Sequence, residues 1–183
     1  MSTQTVFRLP KRTSVQDLTE FKEPISQPNQ QEVLVRIRSV ALNYRDYLIV
    51  TGKYGPPVKD NLVPCSDLAG EVEEIGDQVD DFKKGDKVIA LFDHETLYGP
   101  VKDLANGLGG SRHGTLRQFI SLPSKFLVKV PKTELSFSHL ASIVCTGTTA
   151  WNALYGNLPL KPGQTVVFQG KTETTPLHPL TAP

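Results

Sequence analysis

The stretch EVLVRIRSVALNYRDYLIVTGKYG, residues 32–55, changes character partway along. In its first part Val33, Val35 and Ile37 fall on one face and Arg36 and Arg38 on the other. That period of two is the pattern of a half-buried antiparallel strand. Asn43, Tyr44, Arg45 and Asp46 follow where the strand ends and place four polar side chains together. One reading is a helix start, with Asn43 as the cap and Asp46 three residues later in the first turn. The other is a polar rim on a cleft that opens at the strand end.

Working outward, the strand pattern recurs. AGEVEEIG (69–76) sets Val72 against Glu71 and Glu73 and closes on Gly76. DFKKGDKVIALF (81–92) puts a Lys-Gly-Asp turn before an apolar strand over Val88 to Phe92. GTLRQFISLP (114–123) and FLVKVP (126–131) read as two further short strands, each closed by a proline that cannot donate to a ladder. Short strands separated by Gly and Pro turns predict a mainly β fold, a small barrel or sandwich. Between them DHETLYGPVKDLANGLGGSRHG (93–114) is long, polar and glycine-rich, the profile of a functional loop. His94 and His113 fall in this loop and are expected to be solvated.

Beyond Pro131 the period lengthens. Leu140, Ile143, Val144, Gly147, Trp151, Leu154 and Tyr155 recur at helical spacing, and Ser136 is placed to cap the helix. LKPGQTVVFQG (160–170) then reads as a turn and a strand apolar on both faces, as in a parallel sheet. KTETTPLHPLTAP (171–183) is a Thr/Pro tail, expected to be disordered.

Composition excludes several classes. The 183 residues are 38% hydrophobic and 21% charged, enough apolar material for a core. A formal charge of +1 supplies no general attraction to nucleic acid or to an anionic membrane. No apolar run reaches the roughly 18 residues that span a bilayer, and residues 1–14 contain no secretory apolar region. Cys65 and Cys145, 80 residues apart, are expected to be reduced thiols in a cytoplasmic protein.

EPISQPNQQEVLVRIRSVALNYRDYLIVTGKY, VPCSDLAGEVEEIGDQV, FKKGDKVIA, ASIVCTGTTAWNAL and LKPGQTVVFQG occur in this order along the chain. In order and spacing they resemble the medium-chain dehydrogenase/reductase superfamily of alcohol dehydrogenases and quinone oxidoreductases. LNYRD points to its zinc-independent, quinone reductase-like branch. The resemblance implies a GroES-like β-barrel over residues 1–131. A linking helix and the first strand of a Rossmann domain would follow over 132–170, with 171–183 outside the family pattern. It also implies NADP or NAD as cofactor, a small alcohol, carbonyl, quinone or enone as substrate, and hydride transfer as the chemistry.

For the site, the resemblance implies that Asn43, Tyr44 and Asp46 are catalytic and that Asn43 and Thr149 face the nicotinamide. Zinc-dependent relatives carry metal ligands at positions that match Asn43, Ser66 and Cys145, with an acid at the position of Asp67. Neutral amide and hydroxyl oxygens are poor zinc ligands, so no zinc is expected. After Gly170 the glycine-rich turn that would hold a pyrophosphate does not follow, and Pro176 and Pro179 would break its helix. The chain is therefore expected to be an incomplete family member, inactive by itself. Two alternatives stand beside this one: a non-catalytic GroES-like module pairing with a full-length relative or with itself, and a zinc alcohol dehydrogenase with atypical ligands.

Overall fold

β3 (Glu32–Ala41) is the spine of the fold, because its apolar residues face a neighbour on each side. In the computed structural model it pairs antiparallel with β4 (Asp67–Ile75) along one edge and with β6 (Phe119–Pro123) along the other. β5 (Lys87–Ala90) and β7 (Leu127–Lys129) extend the sheet to five strands in the order β6-β3-β4-β5-β7, antiparallel throughout. A hairpin of β1 (Thr3–Arg8) and β2 (Thr19–Pro24) is joined to it by a bridge between Val6 and Arg117. The expected mainly β fold is present as a curled antiparallel sheet. The structure describes residues 2–93, 96, 99 and 107–167, together with the backbone of 179–181.

The curl has a local cause. Register shifts interrupt β3 between Leu34 and Val35 and between Ile37 and Ser39, and such bulges bend a strand and increase its twist. Val33, Val35, Leu68, Val72, Val88, Ile120 and Leu122 fill the concave side, as the alternation in β3 predicts. β4 is buried on both faces at its start. Leu68 and Val72 enter this main core, while Ala69 enters a second cluster with Leu140 and Ala141. Those two residues belong to α2 (Phe137–Ser142), which therefore packs against the same sheet. A third cluster, Leu9, Ile49 and Leu62, seats α1 (Tyr44–Val50).

Ser136 caps α2 as expected, accepting from the His139 N–H at 3.3 Å, and the His139 ring nitrogen Nδ1 lies 3.0 Å from the Ser136 hydroxyl. The apolar run after Pro131 is helical from Phe137 to Tyr155, as expected, but not α throughout. α2 is followed by a π turn over Ile143–Gly147 and then by α3 (Thr148–Tyr155). The chain divides into two compact units, Met1–Cys145 and Thr146–Pro183, so α2 goes with the sheet and α3 with the second unit. In that second unit β8 (Thr165–Val167) pairs antiparallel with β9 (Pro179–Thr181). The rest of the tail, with Pro176 and His178, lies outside the described residues, as does His94 in the long loop.

Candidate functional site

β3 delivers Asn43 to the first turn of α1 in the extended conformation of a cap, φ −117° and ψ 159°. The Asp46 carboxylate Oδ2 accepts from the Asn43 backbone N–H at 2.8 Å, which closes the start of the helix. The Asn43 side chain makes no regular cap bond, since the Asp46 N–H donates to the Asn43 carbonyl at 2.9 Å. Its Nδ2 donates instead to Oδ2 of Asp67 at 3.1 Å. Two further groups converge on the same carboxylate: the Ser66 hydroxyl donates to Oδ1 at 2.7 Å, and the Cys145 backbone N–H donates to Oδ2 at 3.1 Å. Asp67 is fully buried, and a carboxyl in such a place requires hydrogen-bond donors of this kind.

The helix start that the sequence suggests is therefore present, closed by Asp46. Asp46 is 6% exposed and its second oxygen, Oδ1, is buried without a partner among the described residues. Burial pushes its carboxyl above the ordinary range and the Asp67 charge adds to this, against the Asn43 N–H bond and the Arg45 cation. Tyr44 faces the other way, 69% exposed, with its ring stacked 5.9 Å from that of Tyr47. Leu42 is 76% exposed beside them. Asn43, Tyr44 and Asp46 therefore share one helix start but have different surroundings. Thr149 lies on α3 in the second unit and is exposed.

Arg45 turns toward the glycine-rich loop. Its Nη1 donates to the Leu108 carbonyl at 3.0 Å and its Nε to the Tyr54 hydroxyl at 3.2 Å, with the rings of Tyr54 and Phe92 each 5.0 Å from the guanidinium carbon. The loop is pressed against the backbone of Cys65, itself at φ +69°. A side chain at Gly114, or at Gly109 with its φ of +68°, would collide with the Cys65 carbonyl. The Cys65 thiol is buried, and burial first, then the Asp46 and Asp67 charges, push its pKa up, so it stays protonated. No disulfide joins Cys65 and Cys145.

His113, unlike the solvated side chain that the sequence leads one to expect, accepts at Nδ1 from the Val63 N–H at 3.2 Å. Nδ1 must then be unprotonated. Burial, with Arg8, Lys59 and Arg117 nearby, lowers its pKa to about 4. Sequence reasoning also missed Asp67 as the shared acceptor, although a signal was available: Ser66 and Asp67 interrupt an apolar run between Val63 and Leu68. A charged residue in such a run is buried only when it is paired. Among the described residues no three His, Cys, Asp or Glu side chains gather in a way that could hold a metal ion. No helix among them is long and apolar enough to cross a membrane.

Comparison with known proteins adds the following. The alcohol dehydrogenase GroES-like domain matches residues 29–132. A zinc-type alcohol dehydrogenase-like protein of Schizosaccharomyces pombe is 41% identical over 146 residues, 78% of this chain and 42% of that protein. A chloroplast envelope quinone oxidoreductase homolog of Arabidopsis thaliana is 34% identical over 146 residues, 79% of this chain and 39% of that one. The solved structure of an NAD-dependent alcohol dehydrogenase superposes with a TM-score of 0.74 at 27% identity, covering 87% of this chain and 48% of its own. The chain spans about two fifths of the length of these curated relatives.

Proposed function

The chain belongs to the medium-chain dehydrogenase/reductase superfamily of oxidoreductases, and from that we propose that it is the GroES-like part of a zinc-independent, NAD(P)-dependent member. The observation that carries this reading is the convergence on Asp67. Of the three positions that match metal ligands, Asn43 and Ser66 turn side-chain donors toward that carboxylate, and Cys145 gives it its backbone N–H. A zinc site needs the reverse, lone pairs from at least three residues pointing at one cation with a position left open. Two ligand positions whose side chains are committed to donation support the reading without zinc.

A nicotinamide fits better. Asn43 is half-buried and Tyr44 is exposed at the same helix start, so a ligand on this rim would meet one amide and one phenol. The bound cofactor would supply or accept the hydride. Tyr44 would place its hydroxyl against the oxygen of a small alcohol, carbonyl, quinone or enone and stabilise charge there. Asn43 and Thr149 would face the nicotinamide. Asp46, buried and bonded to the Asn43 N–H, would hold the loop rather than touch substrate. A cytoplasmic location accompanies this reading.

A second reading is a module that binds a full-length relative without catalysing. It is favoured by the exposed aromatic pair of Trp151 and Tyr155, with ring centres 4.8 Å apart. Metal analysis after equilibration with zinc and gel filtration tests the first. Zinc well below one equivalent is expected, and stoichiometric zinc lost on Asp67→Ala or Ser66→Ala would overturn it.

A further inference from the structure

Asn43 carries two donor hydrogens and one acceptor oxygen on its side chain, and the structure assigns them unequal roles. Nδ2 is engaged with Asp67 at 3.1 Å. The Asp46 N–H donates to the Asn43 backbone carbonyl at 2.9 Å, so Oδ1 makes no regular cap bond to it, and Asn43 is half-buried rather than fully enclosed. The acceptor that sets this orientation is rigid. Asp67 is fully buried, begins β4, and is bonded to Ser66 and to the backbone of Cys145 as well as to Asn43. Turning the Asn43 amide over would bring Oδ1, an acceptor, against the carboxyl oxygen that now accepts from Nδ2. That arrangement leaves buried groups unpaired and is strongly disfavoured.

We infer that Asp67 is a positioning residue that locks the Asn43 carboxamide in one orientation, so that Asn43 presents Oδ1 to a ligand and recognises an N–H or O–H donor. The inference rests on the reading above for what the ligand is. It assigns the two neighbours complementary roles. Asn43 accepts from an amide N–H or a hydroxyl of the bound molecule, and an oxygen that gains negative charge is met by the Tyr44 hydroxyl rather than by Asn43. Donation to a carboxylate also polarises the amide, which makes Oδ1 a stronger acceptor and the second N–H a weaker donor.

Side-chain amide exchange on the ¹⁵N-labelled chain tests this directly. The Asn43 resonances are assigned by their loss in Asn43→Ser. One Asn43 Nδ2 proton is expected to exchange at least about tenfold more slowly than those of the exposed Asn157, as a hydrogen bond to a charged group requires. Asp67→Ala should abolish that difference, while Ser66→Ala, which leaves the Asn43–Asp67 bond in place, should retain it. Equal exchange at Asn43 and Asn157 in the native chain would overturn the inference, and so would slow exchange that survives Asp67→Ala. If Asp67→Ala does not fold, the native ratio decides. Adding NADPH to the same sample separates this from the functional reading. A locked amide whose resonance NADPH does not move leaves the positioning role standing and counts against the cofactor at this rim.

Discussion

Helix α2 buries Leu140, 4% exposed, and Ala141, fully buried, while α3, from the same apolar run, leaves Trp151 68% and Tyr155 45% exposed. Periodicity alone cannot tell the two apart, since both segments carry large apolar residues at helical spacing. What separates them is a partner. α2 meets Ala69, Ile89 and Val130 on the sheet, whereas among residues 146–167 of the second unit none is buried. The π turn Ile143–Gly147 lies where one environment gives way to the other. A helical stripe in a sequence therefore predicts a face that is suited to burial, not one that is buried.

The largest expected effect comes from the buried member of the pair. Leu140→Ala should destabilise the first unit by about 2–4 kcal/mol, the range for truncating a core leucine. Denaturant unfolding followed by far-ultraviolet circular dichroism reads it. Trp151 is the sole tryptophan and lies in the second unit, so its fluorescence follows that unit separately. A loss below about 0.5 kcal/mol would mean that α2 is no better anchored than α3, and the contrast would collapse.

The regions that were legible in the sequence share one property: their signals are local. The alternation of Val33, Val35 and Ile37 marked the inward face of β3, and Ser136 marked the start of α2 because a cap acts on residues three positions away. The site was legible only as a set of candidates. Asn43 and Asp46 are joined within one helical turn, and that bond was foreseeable. The link from Asn43 to Asp67 crosses 24 residues and the one from Asp67 to Cys145 crosses 78. No period or spacing encodes which of several polar groups will meet after the sheet closes. His113 escapes a sequence reading for the same reason, its partner Val63 being 50 residues away. Arg45 shows a milder form of this, because its contact with Leu108 depends on how the glycine-rich loop folds back.

A smaller effect sharpens the comparison through pH. His113 has a folded pKa of about 4 against an ordinary 6.5, so between these values the unfolded chain binds more protons. Stability of the first unit should fall as pH drops through that window, by on the order of 1–2 kcal/mol once solvent screening is allowed for. Asp46 acts in the opposite sense. Its raised pKa means that the folded form binds the extra proton, which offsets part of the loss. His113→Asn retains an acceptor for the Val63 N–H and removes the titration. Its stability should decline less than that of the native chain between pH 6.5 and 4. An unchanged acid slope in the variant would remove His113 as the cause. The second unit has no buried titratable group among its described residues 146–167, so Trp151 fluorescence should not follow this transition.

The smallest effect is expected at Trp151, and it bears most directly on what the exposed face is for. Trp151→Ser removes a ring that is 68% exposed and lies tilted against Tyr155, so the isolated chain should lose no more than about 0.5 kcal/mol. A fully packed tryptophan would cost about 3–5 kcal/mol, and a loss of that size would show that α3 is buried in solution. The same variant separates stability from association. Large exposed aromatics are over-represented where proteins meet partners, and their truncation weakens binding far more than it weakens folding. If a full-length relative captures the native chain and not the Trp151→Ser variant at equal stability, the face serves an interface, and the module reading gains over the catalytic one. Equal capture of both would leave Trp151 without a role in pairing and would favour the oxidoreductase reading centred on Asn43 and Tyr44.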